Sequence, residues 1–313
     1  MSLETDKKTV AAIFPGQGAQ YVGMAKDFIE NFSTARLLFE EADEILKCSL
    51  SKIILQGPLE ELTKTKNSQV AIYVTSMAIY SVAQELYNFQ PKAYAGLSLG
   101  EYSALTAGQY LSFEQTLLLV RLRGELMNQA CQARPGTMAI AIGLDCAQVE
   151  KLVKEINLPN DLWIANYNCP GQIVLSGSLK GIEQASLVAK EHGAKRFLPL
   201  NVHGAFHSGL MQPAQEKLAP FLQQKEFKAG KAPLVMNVSA SFVAEAEQIK
   251  TNLIQQVTQP VRWEQSIEEM KRKGIDLCIE FGPGKTLAGL NRRMHLNTLS
   301  IEKVEELEQL ASL

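Results

Sequence analysis

The strongest constraint on the fold is a pentapeptide with glycine at both ends, Gly96-Leu97-Ser98-Leu99-Gly100. Residues 92–97 predict a short strand before it, and residues 101–107 predict a helix after it. Glycines on either side keep Cβ atoms out of such a tight strand-to-helix turn. A serine at its centre projects outward, close to the free N–H groups of the helix that begins near Leu99. The pattern therefore favours Ser98 as a nucleophile over a chance match.

The rest of the chain alternates strands with helices, starting with a strand at residues 9–14. A glycine turn and helical patterns follow it, including long ones at residues 68–87 and 113–133. Later strands are predicted near residues 235–237 and 276–281, each beside a helical pattern. Such alternation predicts a mainly parallel sheet covered by helices.

The pattern of predicted elements changes after Arg134-Pro135-Gly136, where six compact elements follow in the order β-α-β-β-α-β through residue 200. That is the order of a ferredoxin-like unit. We therefore predict a small domain at residues 135–204, inserted in a large domain formed by residues 1–134 and 205–313.

Composition excludes several classes of function. Hydrophobic residues make up 46% of the chain, charged residues 20%, and the net charge is -2, so no electrostatic footprint for nucleic acid exists. The first residues lack the apolar core of a secretory signal, and no run approaches the roughly 18 apolar residues of a membrane span. The five cysteines form no C-x-x-C pair and predict free, buried thiols without a metal. We expect a cytoplasmic protein with no membrane association.

A nucleophilic serine needs a base, and the chain has four histidines. His192 and His295 end helical patterns, where a cation complements the last carbonyls, so capping is the better interpretation for both. His203 and His207 lie in the predicted connection from the small domain back to the large one. Pockets form at such junctions, and the residues alone leave either histidine open as the base.

Two further features have a functional and an ordinary interpretation. The turn Phe14-Pro15-Gly16-Gln17-Gly18 follows the first strand, and one of its N–H groups could join that of Leu99 in an oxyanion hole. A plain turn is the alternative. Arg121 and Arg123 interrupt an apolar helix two positions apart, so they point about 200° apart. One can be solvated while the other faces inward and needs a carboxylate, from the protein or from a substrate.

Taken together, these motifs resemble the malonyl-CoA:acyl carrier protein transacylases of fatty acid synthesis. The resemblance covers nearly the whole chain and rests on many motifs in one order. Besides the two glycine turns and Glu101-Tyr102-Ser103-Ala104-Leu105, they are Leu122-Arg123-Gly124, Asn168-Cys169-Pro170-Gly171-Gln172, Gly204-Ala205-Phe206-His207-Ser208, Pro260-Val261-Arg262-Trp263 and Glu280-Phe281-Gly282-Pro283-Gly284. It implies an α/β-hydrolase-like large domain with an inserted ferredoxin-like small domain.

The resemblance also implies a catalytic arrangement. Ser98 would be the nucleophile and His207, rather than His203, its base. A backbone carbonyl near Gln256 would orient the histidine in place of an acid, which would explain why no Asp or Glu stands out as a third member of the catalytic set.

Further roles follow from the same resemblance. Arg123 would clamp the malonyl carboxylate, and the backbone amides of Gln17 and Leu99 would bind the oxyanion. The segment Ala205-Phe206-His207 is similar to the sequence that the family has where it uses malonyl rather than methylmalonyl units, and Phe206 would crowd the extra methyl group. Leu97 departs from the family, which usually has histidine beside the serine, so the polarity of the pocket wall and the fit of the substrate are expected to differ.

These observations predict a monomeric enzyme that passes a malonyl group from malonyl-CoA, through Ser98, to the phosphopantetheine thiol of an acyl carrier protein. No cofactor or metal is expected, because coenzyme A arrives with the substrate and phosphopantetheine with the partner. Two rivals stay open. A serine esterase or thioesterase would pass the acyl group to water, and a docking module would bind a carrier protein without chemistry.

Overall fold

The computed structural model describes residues 8–202 and 204–313. Within these ranges the strands are β1 Val10–Phe14, β2 Ala93–Gly96, β3 Gly136–Ile142, β4 Leu162–Cys169, β5 Gln172–Ser178, β6 Arg196–Pro199, β7 Leu234–Met236, β8 Ser241–Val243, β9 Val261–Arg262, β10 Leu277–Phe281 and β11 Asn297–Ile301. The helices are α1 Lys26–Asn31, α2 Ser33–Leu46, α3 Leu50–Gln56, α4 Leu59–Thr63, α5 Thr65–Tyr87, α6 Gly100–Ala107, α7 Phe113–Ala133, α8 Cys146–Ile156, α9 Leu179–Val188, α10 Gln212–Gln223, α11 Ala246–Gln256, α12 Trp263–Arg272 and α13 Thr286–Arg292. Two 3₁₀ helices occupy Gly209–Met211 and Val304–Ser312.

The larger sheet has six strands in the order β11-β10-β1-β2-β7-β8. All its neighbours run parallel except the last pair, β7 and β8. Every residue of β1 is buried, as expected for a central parallel strand with helices on both faces. Since β1 and β2 are adjacent and parallel, the turns that leave their carboxyl ends meet at one edge of the sheet.

The smaller sheet has five strands in the order β6-β3-β5-β4-β9. Its first four strands pair antiparallel and come from the β-α-β-β-α-β segment, so this ferredoxin-like order is confirmed. The fifth strand, β9, comes from a later part of the chain and pairs parallel with β4. The mixed α/β fold with two sheets is the predicted one, whereas the exact domain boundaries stay a prediction.

Helix α5 forms the centre of the large core. Most of its length is buried, and it packs against α7 on one side and α2 on another. A helix buried on nearly all sides has no solvated polar face opposite an apolar one, which explains why its sequence shows little amphipathic pattern. None of the helices in the described ranges has the length and apolar character needed to cross a bilayer.

The structure also corrects the sequence interpretation in places. Helix α11 and strand β11 were not predicted. Cys48 is exposed, so the five thiols are free but not all buried. The acidic segment near the C-terminus is not fully solvated either, because its 3₁₀ helix Val304–Ser312 buries Leu307 and Leu310.

Candidate active site

Ser98 lies in the turn between β2 and α6, with a φ of 51°. This left-handed conformation costs a non-glycine residue about 1–3 kcal/mol and persists only where the surroundings enforce it. The flanking glycines permit the turn. A Cβ on Gly96 would lie 2.0 Å from the backbone carbon of Gly100, and one on Gly100 would lie 2.2 Å from the Phe14 oxygen. The turn is therefore built to expose one side chain, that of Ser98.

Asn237, directly after β7, holds this turn in place. Its side-chain oxygen accepts the Ser98 N–H at 2.7 Å, and its amide nitrogen donates to the Gly96 carbonyl at 2.7 Å. Asn237 is fully buried. The Ser98 N–H is thereby occupied, so it is not available to a substrate.

His207 faces Ser98, with 2.7 Å between its Nε2 and the serine Oγ. Its Nδ1 lies 2.7 Å from the Gln256 backbone carbonyl, which can only accept, so Nδ1 carries the proton and Nε2 is free to accept the serine hydroxyl. Burial and the nearby Arg123 charge lower the pKa of His207 to about 4. The ring is therefore neutral near pH 7 and able to take a proton.

Arg123 lies on the inward face of α7 and is 1% exposed. Its Nη2 donates to Ser98 Oγ at 3.0 Å and to Gln256 Oε1 at 2.8 Å, and its Nη1 donates to Gln69 Oε1 at 2.7 Å. Within the described ranges it forms no ion pair with a carboxylate. Arg121, by contrast, is partly exposed and pairs with Glu125 at 2.5 Å, so the outward and inward assignment of the two arginines agrees with the structure.

Gln256 connects these groups. It ends α11, where its carbonyl meets His207 and its amide oxygen meets Arg123. Its amide nitrogen donates to the Ser98 carbonyl at 2.8 Å and to Glu101 Oε2 at 2.6 Å. Burial raises the pKa of Glu101 to about 7, although its hydrogen bonds and Arg123 lower it.

The turn after β1 lies against the Ser98 turn. Leu97 N–H donates to the Phe14 carbonyl at 3.1 Å, and a Cβ on Gly16 would lie 2.5 Å from the Leu97 oxygen. In the part of the chain that the structure describes, the backbone N–H groups of Gln17 and Leu99 have no acceptor. Two free donors beside a nucleophile suit an oxyanion.

These groups lie on the wall of a cavity of about 720 Å³. It is lined from the large-sheet side by Gln17, Leu97, Ser98, Arg123, Phe206 and His207, and from the small-sheet side by Met138, Asn166, Asn168 and Val174. A volume of this size suits an extended small molecule. All eight predicted site residues except Gln256 and Leu99 line it; Gln256 contacts the lining residues Ser98, Arg123 and His207, and Leu99 is buried directly after Ser98.

Leu97 and Phe206 supply apolar wall. Leu97 packs against the apolar cluster beneath the sheet, and Phe206 is 7% exposed. The side chain that departs from the family is therefore anchored in the core at the edge of the cavity. His203 lies outside the described residues.

Sequence reasoning missed Asn237, Gln69 and Glu101 as site residues. Asn237 follows a three-residue strand, and Gln69 sits within a helix that is buried all round, so neither has a local pattern. Glu101 directly follows the serine motif, and its place in the first turn of α6 was the available signal.

Replacing Asn237 by alanine is expected to lower the free energy of unfolding by about 2–4 kcal/mol, because a buried N–H and a buried carbonyl lose their partners. The Ser98 turn should also relax, so labelling of Ser98 by a fluorophosphonate should slow. Asn291→Ala is the matched control, since Asn291 is a buried amide that holds Trp263 and Thr298 instead. Denaturant unfolding and labelling rates measure both effects, and unchanged labelling of the Asn237 variant would contradict the role.

Comparison with known proteins places the geometry in context. Residues 12–303 match the model of the acyl transferase domain family. The chain is 45% identical over 302 residues to the malonyl CoA-acyl carrier protein transacylase of Bacillus subtilis, covering 96% of this chain and 95% of that one. It is 38% identical to the enzyme of the same name from Escherichia coli K12, covering 96% and 97%.

Solved structures give the same result. An acyl carrier protein S-malonyltransferase from Vibrio cholerae superimposes with a TM-score of 0.93 at 39% identity, covering 96% of this chain and 99% of that one. A malonyl-transacylase in complex with a type II polyketide acyl carrier protein superimposes with a TM-score of 0.93 at 38% identity, covering 97% and 99%.

Proposed function

The chain belongs to the acyl transferase domain family, among the malonyl CoA-acyl carrier protein transacylases, and from that premise we propose the reaction that its site performs. It transfers the malonyl group of malonyl-CoA to the phosphopantetheine thiol of an acyl carrier protein, through a malonyl ester of Ser98. The product supplies fatty acid synthesis. The observation that carries the proposal is the contact of Ser98 Oγ with both His207 Nε2 and Arg123 Nη2.

In the first half-reaction, His207 takes the Ser98 proton while Oγ attacks the thioester carbonyl. The low pKa of His207 keeps its ring neutral before the attack, and the Gln256 carbonyl holds the ring in the required tautomer. The new Oγ–C bond forms, the C–S bond breaks, and coenzyme A leaves with the proton from His207. In the second half-reaction, His207 takes the proton of the carrier thiol, whose sulfur attacks the malonyl ester. The new C–S bond forms, the Oγ–C bond breaks, and Ser98 takes the proton back from His207, which gives ping-pong kinetics.

The amides of Gln17 and Leu99 are the proposed oxyanion donors. Both are free of acceptors in the described residues, and the helix that starts after Leu99 adds its N-terminal field. The Ser98 amide is excluded from this role, because Asn237 occupies it.

Arg123 is the proposed clamp for the malonyl carboxylate. Its hydrogen-bond acceptors among the described residues are all neutral, so a buried cation lies at the nucleophile with no carboxylate in direct contact. Pairing with a carboxylate would supply charge-assisted hydrogen bonds. Phe206 and Leu97 give the acyl group an apolar wall that limits its size.

The proposed partners are malonyl-CoA and an acyl carrier protein. A carrier complex of a structural neighbour supports the second. The chemistry uses only side chains and backbone amides, so we propose no cofactor, and the protein is proposed to act as a monomer in the cytoplasm.

Intact-protein mass spectrometry after brief exposure to malonyl-CoA tests the proposal. A malonyl adduct is expected, and it should pass to holo-acyl carrier protein but not to the apo form, which lacks the thiol. Acetyl-CoA is the control for the carboxylate. Free malonate released without carrier, at the rate of transfer, would show a hydrolase instead; no adduct and no malonate would contradict acyl chemistry altogether.

A further inference from the structure

Glu101 is a buried carboxylate beside the nucleophile that the proposed reaction does not use. It is the second residue of α6 and is 3% exposed. Its Oε1 accepts the Asn237 N–H, and its Oε2 accepts Gln256 Nε2 at 2.6 Å. Burying a carboxylate is unfavourable unless donors satisfy it, so placing Glu101 here has a cost in desolvation free energy.

A structural explanation covers only part of this arrangement. An acid in the first turn of a helix is favoured by the helix dipole, but a solvated side chain gains that benefit as well. It does not explain why both oxygens point at residues that hold the catalytic pair. One oxygen reaches Asn237, whose side chain fixes the Ser98 N–H. The other reaches Gln256, whose carbonyl fixes His207.

Charge gives the second argument. His207 becomes an imidazolium in each half-reaction, and both burial and the Arg123 charge oppose that step by lowering the pKa of the ring. Arg123 and Glu101 bind opposite ends of the same Gln256 amide. An ionised Glu101 therefore offsets the Arg123 charge that opposes the imidazolium.

We propose that Glu101 is a positioning residue for acyl transfer. Its carboxylate holds Asn237 and Gln256, keeps Ser98 and His207 in line through them, and offsets the Arg123 charge. The inference deepens the proposed function and rests on the roles given there to Ser98 and His207.

The hydrogen-bond pattern predicts what Glu101→Gln would do. The Asn237 N–H belongs to the backbone and cannot turn, so the new amide must keep its oxygen there. Its NH₂ group then faces the Gln256 NH₂ group. If Gln256 turns over to accept, its own NH₂ group faces Arg123 and the Ser98 carbonyl loses its donor. An almost isosteric change therefore disturbs the whole network.

The rate of adduct formation at saturating acyl-CoA should fall by about 10- to 100-fold, the loss typical when a group that orients a functional histidine from behind is removed. It should fall for malonyl-CoA and acetyl-CoA alike, because His207 serves both. A loss confined to malonyl-CoA would assign Glu101 to carboxylate binding and overturn the inference.

The pH profile is the readout that a purely structural role would not change. Three titratable groups face Glu101 or its partners. Arg123 stays charged, Tyr102 stays neutral because burial raises its pKa to about 12, and His207 has a pKa lowered to about 4 by burial and by Arg123. Because the pKa of Glu101 is raised to about 7, the wild-type rate should fall as the pH drops through that value. The Glu101→Gln rate should show no step near pH 7. Below that pH the rates of the two proteins should be equal, and both should fall further only near pH 4, where His207 protonates.

Glu280→Gln is the matched control. Glu280 is fully buried, and its oxygens accept the N–H groups of Leu287 and Ala288 and the hydroxyl of Ser300, away from the cavity lining. This variant should lose stability in thermal unfolding yet keep the wild-type rate and pH profile. A folded Glu101→Gln enzyme with the wild-type rate, or with its step near pH 7 intact, would overturn the inference.

Failure of the proposed function would look different. If wild-type protein formed no malonyl adduct, the substrate assignment would fail. Fluorophosphonate labelling of Ser98 would still report on Glu101, because it depends on the same Ser98–His207 pair. Slower labelling of Glu101→Gln than of Glu280→Gln is expected, and equal rates would refute the positioning role in that case too.

Discussion

Ser98→Ala is expected to abolish the malonyl adduct and to lower carrier acylation by about 10⁴-fold or more, the scale of losing a catalytic serine. Alanine keeps a Cβ, so the backbone at φ 51° is no more strained than before, and the bond from the backbone N–H to Asn237 is kept. The fold should therefore survive, and the loss should be purely chemical. Intact mass spectrometry and a transfer assay measure it.

Ser103→Ala supplies the comparison. Ser103 is also a buried serine of the α6 segment, and its hydroxyl has no partner among the described residues. It should form the adduct at the wild-type rate. Carrier acylation that survives in the Ser98 variant would exclude a covalent route through Ser98.

Arg123→Ala is expected to reduce malonyl transfer by about 10²- to 10³-fold, since breaking one side of a buried charge pair costs several kcal/mol. Acetyl transfer should stay or rise. Acetyl has no carboxylate to lose, and although burial is the main cause of the low pKa of His207, removing the Arg123 charge relieves its second cause. Rates of adduct formation with the two acyl-CoA compounds give the ratio directly.

Arg121→Ala is the control on the same helix, because Arg121 is partly exposed and pairs with Glu125 outside the cavity. It should leave the malonyl-to-acetyl ratio unchanged. Equal losses on both substrates in the Arg123 variant would show that the arginine supports the site through Gln69 and Gln256 rather than binding the carboxylate.

Local signals explain what could be predicted from the sequence. The Ser98 turn depends on the two glycines that flank the serine, and a pair of arginines stands out within an apolar helix, so both features are visible over a few residues. The β-α-β-β-α-β order along the chain is visible in short, regular elements. The resemblance, and not residue physics, selects Arg123 over Arg121 and His207 over His203.

Long-range contacts explain what could not be predicted. Asn237 and Glu101 meet across 136 positions of the chain, and no local pattern encodes that pairing. Helix α11 was missed although Ile249 and Leu253 recur at helical spacing, because its polar surface resembles a loop. Strand β9 is only two residues long, too short to leave a periodic signal.

The bond from Gln256 to the Ser98 carbonyl spans 158 positions of the chain. A polypeptide made from its N-terminus therefore carries the nucleophile long before the residues that restrain it exist. Until α11 has docked, His207 lacks the Gln256 carbonyl that orients its ring, and the Ser98 carbonyl lacks its donor. On the proposed mechanism, acylation of Ser98 therefore requires the chain to be folded through Gln256.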